Sequence, residues 1–318
     1  MNLQLDQIIK TEINKILTEA QLSAEMIVMI NSSLNADSKT GELYKWAHLT
    51  IMNCECVSGV SEVALPGAIG MELSALAADI FDDIQDQDND DLPWRQISTA
   101  NALNLAICLS MLSCKAVSML PDDNDGRLFR EVSQSLNYMW ITASDAQFQE
   151  VLFDTCEQIT LDQYFELVRR KSGSLTACAC KIGATLGGAS ESLVLQLEQF
   201  GTNLGIMSQI MNDLNDFLDF EKKKDFVSNR KTLPYVYLVN ILKGKLAEEF
   251  KELTQIEGKD LLPFGKKEQE YIKQLAMDEG AVHYCRVMYE IFREKAMEII
   301  LTLPVAEKCK EKMIELVR

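Results

Sequence analysis

The chain has 318 residues, 47% apolar and 25% charged, a composition typical of soluble globular proteins that excludes disordered and collagen-like classes. Its 48 acidic and 31 basic residues leave a formal charge of −17, which argues against a nucleic-acid partner and would draw divalent cations to clustered acids. No apolar run reaches the roughly 18 residues of a membrane-spanning helix, and residues 1–16 lack the pattern of a secretory signal.

Apolar residues recur at the three- and four-residue spacing of an α-helix along nearly the whole chain, and alternating strand patterns are missing. We therefore predict an all-α protein of about a dozen helices. No linker rich in Gly, Ser or Pro divides them, so we expect one all-α domain over residues 1–318 rather than two. The longer helices are predicted near residues 43–57, 66–89, 97–119, 127–155, 160–171, 173–188, 191–220, 232–250 and 266–300.

The nine cysteines are odd in number, and several lie within apolar helical stretches. We expect reduced, buried thiols and a cytoplasmic protein. The cysteines in question are Cys54, Cys56, Cys108, Cys114, Cys178 and Cys180.

The helix predicted at 66–89 ends in an acidic segment, residues 79–91, which holds seven aspartates in thirteen positions. Asp82, Asp83 and Asp86 share a helical face because three- and four-residue spacings stack. The negative charges of these carboxylates repel one another unless a cation binds between them. Carboxylate oxygens are suitable ligands for a Mg²⁺ ion that also binds substrate phosphates. The alternative is a solvated acidic helix end, which the helix dipole disfavours.

A second polar face follows on the helix predicted at 191–220, where Gln209, Asn212, Asp213 and Asp216 share one side. The alternative is an ordinary polar face. The recurrence of this spacing favours a metal-binding role for both faces. Two such faces opposed across a cavity would hold several Mg²⁺ ions with a diphosphate between them.

Two basic segments accompany these faces. Lys171 stands at a helix break before a helix of small residues, which suits an anion site, although basic helix ends are common. Five of the 31 basic residues fall within residues 222–234, directly after the second acidic face. This segment is either the cationic side of a metal–diphosphate site or a solvated loop.

Together these segments resemble the trans-prenyltransferase (polyprenyl diphosphate synthase) family over roughly residues 40–240. The Asp82–Asp86 segment is similar to its first aspartate-rich motif. The Gln209–Asp216 segment is similar to its second, with Asn212 where an aspartate usually stands. Residues 171–175 are similar to its Lys-Thr-Gly-Ser-Leu segment, and residues 225–234 to its Asp-Leu-x-x-Gly-Lys-x-Thr-Leu-Pro segment, with Arg230 at the lysine position.

The resemblance implies a helical bundle of the isoprenoid synthase type with a central cavity, and Mg²⁺ as cofactor, roughly two or three ions. It implies an allylic prenyl diphosphate as donor, a homodimer, and no catalytic residue beyond the metal ligands. It assigns metal ligation to Asp82, Asp83, Asp86, Asn212, Asp213 and Asp216, diphosphate binding to Lys171, Gln209, Lys224, Arg230 and Arg95, and the prenyl pocket to Ala77 and Ala78. Unranked aromatic candidates for stabilising an allylic cation are Phe148, Phe153, Tyr164 and Phe165.

The departures from the family pattern bear on the acceptor. The family's Gly-Lys-Arg-x-Arg-Pro segment is reduced to residues 41–46, Gly-Glu-Leu-Tyr-Lys-Trp, and its Arg-Arg-Gly to Trp94-Arg95-Gln96. In the family those cations hold isopentenyl diphosphate, which would be poorly bound without them. The pattern is similar to the branch that modifies competence pheromones in bacterial quorum sensing by prenylating a tryptophan of a precursor peptide. We therefore expect a geranyl or farnesyl donor and a Trp-containing peptide acceptor.

Three other functions stay open. A polyprenyl diphosphate synthase would condense isopentenyl diphosphate with an allylic diphosphate. A non-catalytic subunit would typically lose its aspartates, and a terpene cyclase would need no acceptor. Because the donor and product tails are apolar, peripheral contact with the inner membrane face is compatible with a cytoplasmic enzyme.

Overall fold

The computed structural model describes residues 3–36, 43–87, 89–121, 125–218, 230–254 and 266–318. Every regular element within these ranges is helical, which confirms the all-α prediction. The α-helices are α1 (Leu3–Glu19), α2 (Ala24–Ala36), α3 (Lys45–Ser58), α4 (Leu65–Asp86), α5 (Thr99–Val117), α6 (Arg127–Asp154), α7 (Leu161–Arg170), α8 (Ser172–Leu186), α9 (Glu191–Leu218), α10 (Leu233–Ile241), α11 (Lys245–Thr254), α12 (Lys266–Asp278), α13 (Ala281–Thr302) and α14 (Glu307–Leu316).

Two of the predicted helices are wrong, because each is divided into two helices in the structure. The stretch 232–250 is divided into α10 and α11, and Gly244 between them has φ 57°. The stretch 266–300 is divided into α12 and α13 by Gly280, with φ 82°. Gly280 takes the left-handed conformation that ends helices, which other residues adopt only at a cost. At the first division, α10 ends because the backbone of Leu242 is extended, and Gly244 lies directly before α11.

The chain forms two compact units, and each is described by itself. Unit 1 comprises Met1–Ile141, Leu175–Gly201 and Ile299–Glu315, and unit 2 comprises Thr142–Ser174, Thr202–Glu298 and Leu316–Arg318. The assignment of the whole chain to one domain stays a prediction.

Small residues let the helices of unit 1 approach closely around α4. A Cβ added at Gly70 would lie 2.8 Å from the side chain of Val117 on α5, and Ser74 and Ser113 join the same two helices by a 2.8 Å hydrogen bond. Gly183 on α8 packs so tightly on α3 that a Cβ would lie 2.1 Å from the carbonyl oxygen of Thr50. Most of α4 is buried up to the point where its acidic segment begins.

Unit 2 has its own apolar core, built from α7, α9 and the helices after residue 230. Tyr164, Ile210, Phe217 and Ile272 are among its buried members, and Tyr237 stacks on Tyr284 with ring centroids 4.6 Å apart. The polar face of α9 therefore emerges from a helix whose other side is anchored in this core.

All nine cysteines are free thiols, as predicted. Five are buried: Cys54, Cys56, Cys178, Cys180 and Cys285. The expectation of burial is wrong for Cys114, which is exposed, and Cys108 is only half-buried, since both lie toward the outer side of α5.

Two helices, Glu62–Asp86 and Thr99–Val117, are long and apolar enough to cross a membrane by length and composition. Of their most apolar windows, 72% and 44% are buried inside the protein. Core helices of globular proteins pass the same test, so these two helices do not by themselves establish a membrane span.

Candidate functional site

The first acidic motif lies where α4 ends and the chain turns back. The backbone N–H of Gln87 donates to the carbonyl of Asp83, and Gln87 and Asn89 both take φ 53°. This left-handed turn lets two later side chains reach Asp83: Asn89 Nδ2 donates to its Oδ1 at 2.7 Å, and Trp94 Nε1 donates to its Oδ2 at 2.7 Å.

Asp83 is therefore buried with both carboxylate oxygens accepting hydrogen bonds, whereas Asp82 and Asp86 are half-buried. A metal bound by Asp83 would have to compete with an amide and an indole donor. The carboxylates of this motif best placed to take a cation are those of Asp82 and Asp86.

Trp94 and Arg95 stand where the family pattern expects two arginines. Trp94 is buried, and its neutral indole serves Asp83. The Nη2 of Arg95 lies 3.1 Å from Asp90 Oδ1, and its buried Nε has no hydrogen-bond partner within the described part of the chain. This segment therefore has one guanidinium, that of Arg95, where the family pattern has two, and Asp90 already neutralises its charge.

In the second acidic motif, Asp213 connects three helices of unit 2. Its Oδ2 accepts hydrogen bonds from the Tyr164 hydroxyl of α7 at 2.6 Å and from the backbone N–H of Leu233 at 2.8 Å, and its Oδ1 accepts one from Gln209 Nε2 at 2.7 Å. The N–H groups in the first turn of a helix have no acceptor within that helix, and the Leu233 N–H is one of these in α10. By accepting its hydrogen bond, Asp213 of α9 caps the N-terminus of α10.

Burial raises the pKa of Asp213 to about 6, although the hydrogen bonds from Tyr164, Gln209 and the Leu233 N–H oppose this shift. Burial, together with the negative charge of Asp213, also raises the pKa of Tyr164 well above its ordinary value, so the phenol stays protonated as a donor. Asp216 is half-buried and Asn212 is exposed on the same helix.

Gln209 links the second motif to the start of α8. Its Oε1 accepts a hydrogen bond from the Ser172 hydroxyl at 2.7 Å while its Nε2 donates to Asp213. Ser172 directly follows Lys171, so the predicted diphosphate lysine and the second acidic face lie on directly connected elements of unit 2.

Lys171 forms an ion pair with Glu150 of α6. One helical turn along α6, Asp154 has a buried Oδ1 with no hydrogen-bond partner among the described residues. Burial raises the pKa of Asp154 to about 7, the negative charge of Glu150 adds to the shift, and Lys231 and Lys171 oppose it. Lys231 is itself buried, with its Nζ 4.9 Å from the ring centroid of Tyr235.

The structure thus gathers two sets of predicted residues and leaves others apart. Gln209 and Asp213 share one network, and Lys171 belongs to the neighbouring charge cluster. Arg230 is half-buried in unit 2, and Lys224 lies outside the described residues. Asp82, Asp83, Asp86 and Arg95 lie in unit 1 with the proposed pocket residues, of which Ala77 is fully buried and Ala78 half-buried.

Glu150 and Asp154 were not predicted from the sequence, and Trp94 and Lys231 were recognised only as members of the acceptor segment and the basic segment. The prediction for Tyr164 concerns only its aromatic ring, whereas in the structure its hydroxyl donates a hydrogen bond to Asp213. The four-residue spacing of Glu150 and Asp154 on a helix was the available signal, because like charges one turn apart repel unless cations compensate them. Among the aromatic candidates, Phe148 is 64% exposed, whereas Phe165 packs against the core of unit 2.

The donor chemistry fits Mg²⁺. Asp82, Asp86 and Asp216 offer carboxylate oxygens and Asn212 an amide oxygen, which are the hard ligands Mg²⁺ prefers. Within the described ranges, no group of three or more His, Cys, Asp or Glu side chains is arranged to hold a metal ion. Such a cage is unnecessary for Mg²⁺, which takes one or two carboxylates and completes its shell with water and substrate phosphates.

A sequence profile described as polyprenyl synthetase matches residues 49–263, which is more than half of the chain. The chain belongs to the polyprenyl synthetase family. The prediction of a prenyltransferase of this superfamily is thereby confirmed, and members of the family depend on Mg²⁺.

Two relatives illustrate the breadth of the polyprenyl synthetase family around this chain. Tryptophan prenyltransferase ComQ of Bacillus subtilis (strain 168) is 28% identical over 86% of this chain and 87% of the relative. Geranylfarnesyl diphosphate synthase of Methanosarcina mazei is 26% identical over 60% of this chain and 63% of the relative.

Solved structures confirm the isoprenoid synthase fold. A polyprenyl synthetase from Streptomyces coelicolor A3(2) superposes with a TM-score of 0.80 over 99% of this chain and 97% of that one, at 20% identity. At this identity the likeness establishes the fold alone.

Proposed function

We propose that the protein transfers a geranyl or farnesyl group from its diphosphate to a tryptophan of a quorum-sensing pheromone precursor peptide. The proposal rests mainly on the position and hydrogen bond of Trp94. Where the family resemblance expects an arginine for the acceptor diphosphate, a buried neutral indole donates to Asp83.

The one cation that remains in that segment, Arg95, already forms an ion pair. Arg95 pairs with Asp90, so a second diphosphate would meet one compensated guanidinium instead of two bidentate ones. A neutral aromatic acceptor needs no such cations. The similarity to tryptophan prenyltransferase ComQ over most of both chains supports the same acceptor class.

The donor side keeps the charges that ionisation requires. Lys171 and Arg230 supply positive charge to the departing diphosphate, Asp82 and Asp86 of α4 and Asn212 and Asp216 of α9 supply oxygen ligands, and Ala78 leaves room for the prenyl tail. Mg²⁺, when bound, neutralises the developing charge on the leaving group. Asp83 and Asp213, held by their hydrogen bonds, orient the helix ends that carry these ligands.

The proposed chemistry balances as follows. The C1–O bond of the donor breaks, diphosphate leaves with the electron pair, and the indole C3 of the acceptor attacks the allylic cation. The backbone nitrogen of the same tryptophan then closes a ring onto indole C2, and its proton is released. Because indole is electron-rich, it needs no strong base before that last step.

The test is Mg²⁺-dependent transfer to a Trp-containing peptide encoded beside this gene, with geranyl and farnesyl diphosphate as donors and product mass as readout. We expect a mass gain of one prenyl group, which disappears when the peptide tryptophan is replaced by phenylalanine. Asp82→Ala should abolish transfer, whereas Asp91→Ala, an exposed acid in the loop after α4, should leave it intact. No mass gain with either donor would refute the proposal.

A second candidate, condensation of isopentenyl diphosphate with an allylic diphosphate, is favoured by the similarity to geranylfarnesyl diphosphate synthase. Incubating the protein with both diphosphates and Mg²⁺ separates the two functions. Efficient chain elongation would establish this alternative against peptide transfer, and hydrocarbon formed from farnesyl diphosphate alone would indicate a cyclase.

We propose a cytoplasmic homodimer with peripheral contact to the inner membrane face. Support for the dimer comes from a stripe of exposed apolar side chains at four-residue spacing on α5: Leu103, Ile107 and Met111, the last two more than half exposed. Such a stripe is typical of a surface that another helix covers. Ile107→Asp should convert the dimer to a monomer by light scattering, whereas Asp91→Ala in the exposed loop after α4 should not; a wild-type monomer would contradict the proposal.

A further inference from the structure

We propose that Trp140 determines the length of the prenyl donor: its indole closes the pocket that runs along α4 and limits the donor to the geranyl chain. This inference rests on the proposed function, because it assumes that the prenyl tail leaves the acidic motif at Asp82 and runs along α4 past Ala78.

The accessible surface of α4 follows one row of side chains and then stops. Asp86, Asp82 and Ala78 are spaced four residues apart, and each is half-buried. Four-residue spacing places them one above the other on a single face of the helix. The next residue of this row, Ser74, is fully buried. The accessible row that leads away from the acidic motif therefore ends at Ala78.

Trp140 of α6 covers the end of this row. Its Nε1 donates a hydrogen bond to Ser74 Oγ at 3.2 Å, and its ring meets Phe81 edge-on, with ring centroids 6.2 Å apart and planes at 84°. Ser74 lies one turn before Ala78 and Phe81 about one turn after it, so the two contacts of the indole bracket Ala78 on one side of α4. The space that the small side chain of Ala78 leaves is thus bounded by the indole of Trp140.

A chain of buried hydrogen bonds fixes the indole in this orientation. Ser113 Oγ of α5 donates to the carbonyl oxygen of Gly70 at 2.7 Å and lies 2.8 Å from Ser74 Oγ. A hydroxyl carries one proton, so Ser74 donates to Ser113 and has its lone pairs left to accept the hydrogen bond from Trp140. The chain runs in one direction from the indole to the Gly70 carbonyl and joins three helices, which makes the wall rigid.

The distance from the acidic motif to this wall matches a short donor. Helical side chains lean toward the N-terminus, so the indole lies between one and two turns before Asp82, about 6–12 Å along the axis. Three bonds of an extended chain span about 3.5 Å, so the two isoprene units of geranyl span about 9 Å and the three units of farnesyl about 14 Å. A geranyl chain ends at the indole, whereas the third unit of farnesyl would overlap it.

The experiment measures donor binding without the acceptor peptide. The full chain is titrated calorimetrically, in the presence of Mg²⁺, with the thiolodiphosphate analogues of geranyl and farnesyl diphosphate, whose bridging sulfur resists ionisation. Wild type is compared with Trp140→Ala and Trp140→Leu. The matched control is Tyr138→Ala, because Tyr138 is a large aromatic residue of the same helix whose side chain is 66% exposed. Circular dichroism establishes that each variant is folded.

We expect wild type and Tyr138→Ala to bind the geranyl analogue at least about tenfold more tightly than the farnesyl analogue. Trp140→Ala should bind the farnesyl analogue at least about tenfold more tightly than wild type does, because the third isoprene unit gains a pocket in which to be buried. Trp140→Leu should shift the preference in the same direction by a smaller factor, and it serves if Trp140→Ala does not fold.

Equal affinities in wild type, a wild-type preference for farnesyl, or an unchanged preference in a folded Trp140 variant would overturn the inference alone. A shift as large in Tyr138→Ala as in the Trp140 variants would do the same. Failure of wild type to bind either analogue would overturn the proposed donor site together with the inference. Selective binding of the geranyl analogue without transfer to a peptide would support the inference and overturn the proposed acceptor.

Discussion

The hydrogen bond between Trp94 and Asp83 can be weighed against the other two tryptophans of the chain. The indole N–H of Trp94 donates to a buried carboxylate at 2.7 Å. That of Trp140 donates to the neutral hydroxyl of Ser74 at 3.2 Å, and that of Trp46 is buried without a hydrogen-bond partner in the described structure. Replacing each tryptophan by phenylalanine removes the same atoms from three different environments.

The expected losses in unfolding free energy follow from those environments. Trimming an indole to a phenyl ring leaves a small cavity that costs about 1 kcal/mol at each site. Trp94→Phe additionally loses a hydrogen bond to a charged group, about 1.5–3 kcal/mol, and Trp140→Phe a neutral one, about 0.5–1.5 kcal/mol. Trp46→Phe instead removes a buried unsatisfied donor, which relieves about 1–3 kcal/mol and offsets its cavity.

The assay is urea unfolding followed by circular dichroism, because the substitutions remove the fluorophores and the protein is helical. We expect the stability loss to decrease from Trp94→Phe to Trp140→Phe to Trp46→Phe, with a gap of at least about 2 kcal/mol between the extremes. Equal losses at the three sites, or the largest loss at Trp46, would refute the account of how Asp83 is held.

Three further predictions concern unit 2 and helix packing. Tyr164→Phe should lower the unfolding free energy in urea by about 1.5–3 kcal/mol, since the 2.6 Å hydrogen bond to the buried Asp213 is lost. Because burial raises the pKa of Asp213 from its ordinary 3.8 to about 6, the folded state binds this proton more tightly, so stability should fall by up to about 3 kcal/mol as pH rises through that window. Urea titrations at several pH values check this, and Asp213→Asn should lack that part of the slope; an identical profile would contradict the assignment. Gly183→Ala should lower the thermal midpoint by several degrees because of the 2.1 Å clash with Thr50, whereas Gly173→Ala, whose Cβ would meet nothing nearer than 3.4 Å, should not.

Helix positions could be read from periodicity wherever one face packs on a core. The predictions for α3 to α9 agree with the structure to within about three residues at each end. They failed after residue 230, where the pattern continues through Gly244 and Gly280. A glycine inside an apolar pattern is compatible with a helix interior and with a helix end, and only the tertiary packing of unit 2 decides between them.

The residue types of the candidate site could also be predicted, because spacing along a helix places Asp82 and Asp86 on a shared face. Spacing does not show which acids are buried. Asp83 and Asp213 lie within their motifs, yet their hydrogen-bond donors come from later turns and other helices. Sequence therefore identified the motifs, while the structure separated the accessible carboxylates from those that hold the helices together.

What the sequence by itself determined is an all-α prenyltransferase with two oxygen-rich helix faces and a weakened cationic acceptor segment, since helical spacing and charge are local properties. Only the tertiary structure decided that Trp94 donates a hydrogen bond to Asp83, that Asp213 caps α10, and that Lys171 pairs with Glu150. These contacts join residues far apart in the chain, and burial changes the energy of a charge far more than its neighbours in sequence do.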